Sequence, residues 1–240
     1  MKNIKDLLLQ LVNSKYFDSI SHLNRNNENC IIFGNGPSLE KINFSNLSDN
    51  QSIYATNRMV LHKNFKHLKN VTYFFSDNYF FKNKEGRNIL QSVEQSKNVE
   101  YIIVPSSWYY YRFFNYKNKS KYIYVNFKRN EKVKDFEFEN NPKKGFRYGN
   151  TVILDFCLPI AIYNNFKKIF LVGCDFDYSG KKQYFYGKNF NDLNFKKVDR
   201  KLWKNEVQLG FARIEEYCSK NQIEVLNCKD DGSLNILNKI

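Results

Sequence analysis

The sequence predicts a doubly wound α/β domain built on a mostly parallel sheet, and three features lead to that prediction. The 240 residues, 42% of them hydrophobic and 26% charged, suffice for one large core. Seven short apolar runs have the length of strands, and several are apolar on both faces, as in a parallel sheet covered by helices. Segments with helical spacing alternate with these runs, so we expect helices on both faces of the sheet.

The predicted strands are runs of four or five residues in which apolar and aromatic side chains predominate. They are 30–33, 52–55, 71–75, 101–104, 122–125, 169–172 and 223–226. Helical spacing covers 78–96, 151–164 and 200–220. Ligands of such sheets bind outside the carboxyl ends of the strands, so the residues that follow each strand are the candidates for a site.

Two other regions depart from this alternation. Residues 1–28 have helical spacing and are predicted to form a helical appendage to the main domain, 29–240. Residues 106–146 contain an aromatic run and a charged run, and we interpret them as an insertion that closes over a site; a surface excursion without function is the alternative.

The composition restricts the partners and the compartment. Lys and Arg number 38 against 24 Asp and Glu, a formal net charge of +14, which favours phosphorylated metabolites, nucleic acid or an acidic membrane face. AT-rich codon usage is an alternative source of part of the lysine content. Five cysteines without a C-x-x-C pair predict neither a disulfide framework nor a zinc site. With no signal-peptide pattern and no apolar span of membrane length, we expect a cytoplasmic protein in a reducing compartment.

The first predicted strand runs into Gly34, Asn35, Gly36, Pro37 and Ser38. Glycines allow a backbone to approach a ligand closely, and Ser38 is expected to cap a helix whose free amides favour a phosphate. We interpret this segment as a nucleotide-phosphate loop, with a plain tight turn and helix cap as the alternative. It matches neither G-x-G-x-x-G nor the Walker pattern.

Short polar side chains also follow the second and third predicted strands, at 56–58 and 76–78. Asn57 and Asp77 are placed to hydrogen-bond a base or a ribose, although both residue types are also common in turns. The basic turn 143–151 forms a second candidate anion site, with Arg147 as the direct partner of a phosphate or carboxylate. Asn150 and Thr151 end that turn and either bind the anion or cap the following helix.

The sixth predicted strand is followed by Asp175 and Asp177, a D-x-D spacing that holds a divalent cation against a diphosphate in some sugar transferases. The alternative is that Asp175 fixes a loop by accepting hydrogen bonds from backbone amides. Tyr178 and Tyr184 are candidates for donating hydrogen bonds to a departing phosphate, where negative charge develops.

With these residues in view, the sequence resembles a superfamily of bacterial and archaeal Rossmann-type enzymes. It contains the 6-hydroxymethylpterin diphosphokinase-like proteins, many of them encoded with surface-polysaccharide genes, and more distantly the family-42 sialyltransferases. The resemblance spans about 29 to 237 and rests on G-N-G-P-S-L at 34–39, T-N at 56–57, S-D at 76–77, the run from G-N-T-V to L-V-G-C-D at 149–175, and E-V-L-N-C with G-S-L at 224–228 and 232–234.

The resemblance implies a Rossmann-like, GT-A-type fold and a CMP-sialic acid donor. It implies that the loop at 34–38 contacts the donor phosphate and sugar, that Asn57 and Asp77 face the cytidine, and that Asn150 and Thr151 bind the donor carboxylate. Tyr178 and Tyr184 keep the spacing of the sialyltransferases' phosphate-stabilising tyrosines. The donor-binding residues expected on these grounds are Gly34, Asn35, Gly36, Ser38, Asn57, Asp77, Arg147, Asn150 and Thr151.

One departure from the sialyltransferases concerns the general base. Those enzymes use a histidine in the segment after the two tyrosines, whereas the histidines here are His22, His62 and His67. The candidates to replace it are Asp192 and Asp199, because a partly desolvated carboxylate can reach a useful pKa. The alternatives are another acceptor activation, another donor or another reaction.

The first functional hypothesis is a glycosyltransferase of a bacterial surface-glycan pathway, such as lipopolysaccharide or capsule synthesis. It would move a sugar from a nucleotide donor to a saccharide or glycolipid acceptor by direct displacement. No cofactor is expected with a CMP-linked donor, and Mg²⁺ or Mn²⁺ with a diphosphate donor. We expect peripheral contact with an anionic membrane and leave homo-oligomerisation open.

The second hypothesis is a Mg²⁺-dependent transfer of diphosphate from ATP to a pterin alcohol, in which Asp77, Asp175 and Asp177 would be linked to the metal. The third is a basic nucleic-acid-binding module. It rests only on aromatics interleaved with Lys and Arg between 109 and 128, so no nucleic-acid partner is expected.

Overall fold

Seven strands form the sheet of the computed structural model. They are β1 (Asn29–Phe33), β2 (Ser52–Thr56), β3 (Val71–Phe74), β4 (Val99–Pro105), β5 (Tyr122–Val125), β6 (Lys168–Val172) and β7 (Glu224–Cys228). Every neighbouring pair is parallel, in the order β5-β4-β3-β2-β1-β6-β7. The structure describes residues 20, 23, 28–42, 44, 47, 51–111, 121–126, 149, 151–175, 184–187 and 200–228. The predicted fold class is confirmed, and the seven-stranded sheet is wholly parallel.

Both faces of the sheet are buried, which explains why the strands lack a polar alternation. In β1, Ile31 and Phe33 belong to one hydrophobic core while Cys30 and Ile32 belong to the other, and all four side chains are fully buried. Side chains of successive strand residues point to opposite faces, so a strand in the middle of a two-sided sheet must be apolar throughout.

Among the described residues, the α-helices with defined bounds are α1 (Tyr79–Lys82), α2 (Lys84–Gln95), α3 (Leu158–Tyr163) and α4 (Arg200–Lys220). The predicted helix 78–96 divides at Asn83, whose extended backbone and side-chain oxygen cap α2 by accepting from the Glu85 N–H. The predicted helix 151–164 is a π-helix (Ile153–Cys157) followed by α3. Pro159 has no N–H to continue the regular α pattern at that junction.

The described parts of 106–146 belong to the domain core. Trp108 lies in a 3-10 helix (Ser106–Tyr111), is 1% exposed, and donates its indole N–H to Asn78 Oδ1 at 2.9 Å. Strand β5 is hydrogen-bonded to β4. The remainder of the predicted insertion, 112–120 and 127–146, lies outside the described residues, so the closing role stays a prediction.

Three residues of the predicted N-terminal appendage are described: Ile20 and Leu23 are buried in the core that contains Cys30 and Ile32, and Glu28 is exposed. All five cysteines are buried free thiols. Among the described helices, none combines the length and the apolar character needed to cross a membrane.

The order of the strands determines where a ligand site is expected. From β1 the chain adds β2 to β5 on one side, and then β6 and β7 on the other side of β1. Chain direction across the sheet therefore reverses between β1 and β6. In open parallel sheets, the loops at the carboxyl ends of two such strands diverge and leave a crevice.

Candidate functional site

The loops after β1 and β6 meet at the crevice expected from the strand order. The Gly34 N–H donates to the Val172 carbonyl at 2.8 Å, and the Gly36 N–H donates to the Gly173 carbonyl at 2.7 Å. A Cβ on Gly34 would collide with the Gly173 carbonyl, and one on Gly36 would collide with Asp175. The two glycines allow the loop after β1 to approach the loop after β6. The sequence predicted that they would allow a ligand to approach.

Ser38 contacts Asp175 with both of its donors. Its backbone N–H lies 3.0 Å from Asp175 Oδ2, and its hydroxyl lies 2.6 Å from Oδ1. The expectation that Ser38 caps a helix is wrong, because Gly36 is the N-cap of a 3-10 helix of five residues (Pro37–Lys41) and its cap has no side-chain hydrogen bond. The interpretation of Asp175 as a carboxylate that fixes a loop agrees with this geometry.

The side chain of Asn35 connects the carboxyl ends of β1 and β2. Its amide nitrogen lies 3.1 Å from the Thr56 carbonyl and 3.0 Å from Thr56 Oγ1, and its oxygen accepts from the Arg58 N–H at 3.1 Å. The Thr56 hydroxyl donates to the Phe33 carbonyl at 3.0 Å. In this state, Asn35 uses both ends of its amide to hold the two loops together.

Asn57 follows β2 with a left-handed backbone, φ +50°. Its N–H donates to the Phe74 carbonyl at 3.2 Å, and its carbonyl accepts from the Tyr73 hydroxyl at 3.0 Å. The side-chain Oδ1 is buried and, within the part of the chain that the structure describes, has no hydrogen-bond partner. Since buried polar atoms are normally paired, this oxygen is a candidate ligand contact.

Asp77 lies at the end of β3, partly exposed, and its Oδ1 accepts from the Tyr79 N–H at 2.9 Å. This bond fixes the turn into α1. Thr151 Oγ1 accepts from the Leu154 N–H at 3.1 Å, so its oxygen caps the π-helix. The predicted roles of both residues in donor binding are not tested by these contacts.

Asp155 is a buried carboxylate that the sequence analysis missed. It is 1% exposed and accepts from the Gly149 N–H at 3.0 Å. The signal available in the sequence was one carboxylate within the apolar run 152–162. Arg147 and Asn150, which flank Gly149, lie outside the described residues.

The segment Tyr184–Gly187 lies against the loop after β1. The Phe185 N–H donates to the Asn35 carbonyl at 3.1 Å, and the buried Phe185 ring meets His62 edge-on at 5.1 Å between centroids. Tyr184 and Tyr186 stack at 5.0 Å with an interplanar angle of 8°. The structure thus brings Tyr184 to the predicted phosphate loop, whereas Tyr178, Asp177, Asp192 and Asp199 lie outside the described residues.

A buried cation borders this segment. Arg58 is 7% exposed, its guanidinium lies 5.1 Å from the Tyr79 ring centroid and 5.4 Å from that of Tyr186, and Glu85 Oε1 is 3.5 Å away. Burial lowers the pKa of Arg58, but its neighbours raise it by more, so the guanidinium stays charged. The Tyr79 hydroxyl donates to the second oxygen of Glu85. The cluster could not be predicted from the sequence, because an isolated arginine after a strand is usually solvated.

The crevice offers neither a reactive thiol nor, among the described residues, a metal-binding cluster. Burial, together with the nearby Asp175 charge, raises the pKa of the Cys174 thiol, which therefore stays protonated and is a poor nucleophile. Across the described ranges, no three His, Cys, Asp or Glu side chains are grouped as a metal site requires. The D-x-D pair is not tested, since it includes Asp177.

Residues 1–181 match the family model described as 6-hydroxymethylpterin diphosphokinase MptE-like. The chain belongs to this MptE-like family. The match includes the loops after the first three strands and the Gly173–Asp175 loop, and it ends before Tyr184. No curated protein matches the sequence.

Solved structures similar to this MptE-like chain include sialyltransferases. The monofunctional α-2,3-sialyltransferase Cst-I of Campylobacter jejuni is 20% identical, with a TM-score of 0.51 over 86% of this chain and 78% of that one. The C. jejuni sialyltransferase CstII, in complex with CMP, is 20% identical with a TM-score of 0.51 over 83% and 79%. A CST-II complex with CMP and a trisaccharide acceptor is 18% identical with a TM-score of 0.51 over 85% and 82%. The sequence motifs predicted a resemblance to sialyltransferases, and these structures show that the fold is similar as well.

Proposed function

We propose that this chain is a glycosyltransferase that moves a sugar from a nucleotide donor to a saccharide or glycolipid acceptor. The observation that carries the proposal is the hydrogen bond from the Phe185 N–H to the Asn35 carbonyl. It holds Tyr184 beside the glycine loop, at the point where chain direction across the sheet reverses. A phenol there can donate a hydrogen bond to a phosphate that becomes more negative as it departs.

For the donor we propose a CMP-linked sugar, with sialic acid as the transferred group. The structurally similar CstII binds CMP, and the fold is shared over most of both chains. The buried Oδ1 of Asn57 fits a nucleoside, because a ribose hydroxyl or an exocyclic amino group would supply the donor that this oxygen lacks among the described residues. The carboxylate of sialic acid would bind at Arg147, Asn150 and Thr151.

The proposed reaction is a direct displacement. The acceptor hydroxyl forms a bond to the anomeric carbon as the bond from that carbon to the phosphate oxygen breaks, and CMP departs with the electron pair. Asp192 or Asp199 accepts the hydroxyl proton, and Tyr178 and Tyr184 donate hydrogen bonds to the phosphate. The donors of Ser38 become available to the phosphate only when the Asp175 carboxylate releases them.

The acceptor class and the cellular site are also proposals. A net charge of +14 would attract both an anionic donor and the anionic surface that carries a glycolipid acceptor. We therefore propose that the protein acts in the cytoplasm, at the inner face of the membrane.

Diphosphate transfer from ATP to a pterin is the second candidate, and the family match favours it. It requires Mg²⁺ near Asp77, Asp175 and Asp177. Both Asp175 oxygens accept hydrogen bonds from Ser38, so a metal ion would share this carboxylate with Ser38 or displace it, and Asp177 lies outside the described residues. We derive no step through a metal ion.

The test is a thermal-shift panel of CMP, UDP, GDP and ATP, each with Mn²⁺ and with EDTA, followed by product analysis. A ligand that binds only the folded state raises the melting temperature, and we expect CMP to do so in EDTA. CMP-sialic acid with a saccharide acceptor should then release CMP. Binding of UDP with Mn²⁺ would retain a glycosyltransferase with another donor, whereas metal-dependent formation of AMP from ATP and hydroxymethylpterin would overturn the proposal.

A further inference from the structure

Arg58 is a buried charge placed directly after β2, with 8% of its side chain exposed. Burying an arginine is costly unless its charge and its planar surface both find partners. The partners that this arginine finds come from two parts of the molecule that are far apart in the sequence. Because these contacts join two distant segments, they indicate that Arg58 has a structural role in addition to carrying a charge.

On one side, the guanidinium faces the start of the helical pair α1 and α2. The Tyr79 ring centroid is 5.1 Å away and Glu85 Oε1 is 3.5 Å away. Burial and the hydrogen bond to Glu85 raise the pKa of Tyr79 to about 12, so its phenol stays a protonated donor to that carboxylate. Tyr79, Glu85 and Arg58 therefore form one cluster of side chains that contact one another.

On the other side, the guanidinium faces the Tyr186 ring, 5.4 Å from its centroid. Tyr186 stacks in turn on Tyr184. The backbone N–H of Arg58 donates to Asn35 Oδ1, and the Asn35 carbonyl accepts from the Phe185 N–H. Arg58 thus contacts the loop after β1 with its backbone and the segment Tyr184–Gly187 with its side chain.

We propose that Arg58 is a positioning residue that holds the segment Tyr184–Gly187 over the loop Gly34–Ser38 and so places the Tyr184 phenol for the reaction. The inference rests on the proposed function for its catalytic consequence. Its structural part, the attachment of the segment through Tyr186, can be measured without any substrate.

The side chain needed here is arginine rather than lysine. A guanidinium is flat and weakly hydrated, so it can lie against two aromatic rings and still approach a carboxylate. A lysine ammonium is a compact, strongly hydrated charge and cannot replace those two ring contacts together. Arg58→Lys should therefore behave like the neutral Arg58→Met.

The first measurement is hydrogen exchange in the apo protein. We expect Arg58→Lys and Arg58→Met to speed exchange of the amides of Tyr184–Gly187 by about 10-fold or more while protection in β1 and β6 is retained. Arg213→Lys, on α4, is the matched control. Unchanged exchange at Tyr184–Gly187 in both variants would overturn the inference, whatever the enzyme's reaction is.

The second measurement is a double-mutant cycle on sugar transfer. Arg58→Lys should lower kcat by about 10- to 100-fold with the KM for the donor nearly unchanged, because misplacement of Tyr184 weakens contacts made in the transition state. In a Tyr184→Phe background the same substitution should add little. Additive losses would show that Arg58 does not act through Tyr184. If no donor supports transfer by the wild type, the proposed function fails and the exchange result still decides the attachment.

Discussion

The Asp175 carboxylate accepts hydrogen bonds from both the backbone N–H and the hydroxyl of Ser38, at 3.0 and 2.6 Å, across 137 residues of sequence. Hydrogen bonds to a charged acceptor are the stronger kind, so this contact closes the crevice between the β1 and β6 loops. It also places a negative charge of the protein at the position where the sequence predicts an anionic ligand.

Replacing Asp175 should separate the effect of this contact on stability from its effect on the binding of an anion. Asp175→Asn keeps an acceptor oxygen but removes the charge, so we expect unfolding in urea to show a loss of about 1–2 kcal/mol, and calorimetry to show CMP binding that is several-fold tighter. Glu215→Gln, which removes the charge of an exposed carboxylate on α4, is the control. Weaker CMP binding by Asp175→Asn would mean that this carboxylate helps to bind the nucleotide.

The two glycines of the loop should differ in their tolerance of a methyl group. In Gly34→Ala the new Cβ meets the Gly173 carbonyl, which is backbone and cannot turn away. In Gly36→Ala it first meets the Asp175 side chain, which can rotate, although the Gly173 carbonyl is also near. We expect Gly34→Ala to lose about 2–4 kcal/mol of unfolding free energy and Gly36→Ala clearly less. Equal losses in denaturant titrations would contradict this reading of the loop.

The strands could be predicted because their signal is local. Continuous apolar runs such as 30–33 indicate a strand buried on both faces, and all seven were found. Helix boundaries were harder to predict from the sequence. The interruption at Asn83 depends on one capping side chain. The π-helix before Pro159 has no sequence pattern of its own.

The site was predictable as a set of loops but not as a set of contacts. Parallel strands place their carboxyl ends at one edge of the sheet. This rule predicts that Gly34–Ser38, Asn57 and Asp77 lie close together. The partners of Ser38 and Asn35 come from distant loops, and no spacing rule identifies them. Arg58 was missed because its burial depends on rings and a carboxylate brought together by the fold.

Asn35→Asp should damage the site more than its small size change suggests. The Asn35 amide nitrogen donates to two Thr56 oxygens, so a carboxylate oxygen there would face two acceptors. We expect a loss of about 2–3 kcal/mol by chemical denaturation, since the pairs are replaced by repulsion. Asn88→Asp, at an exposed position of α2, is the matched control. A loss no larger than that of the control would indicate that the Asn35 side chain is free to serve a ligand.

Tyr184→Phe tests the phenol at the proposed leaving group. Removing one donor to a developing anion should lower kcat by about 100-fold with little change in CMP binding. Tyr101→Phe, a partly buried tyrosine on β4, is the control. Steady-state rates of CMP release and CMP titrations provide the two readouts. A change confined to the KM would assign Tyr184 to ground-state binding.

His62 should make the folded state sensitive to acid. Burial lowers the pKa of this imidazole, whose ring packs on Phe44 at 4.6 Å and on Phe185 at 5.1 Å, and whose Nδ1 accepts from the Asn64 N–H at 3.2 Å. Protonation would place a charge between the rings and remove that acceptor. Because the unfolded chain binds this proton more readily, the contribution of His62 to stability is present above about pH 6.5 and is lost as the pH falls through the lower, folded-state pKa.

Urea unfolding between about pH 5 and 8 should show a smaller rise in stability with pH for His62→Gln than for the wild type, and an unchanged rise for the exposed control His67→Gln. The same slope in all three proteins would contradict the assignment.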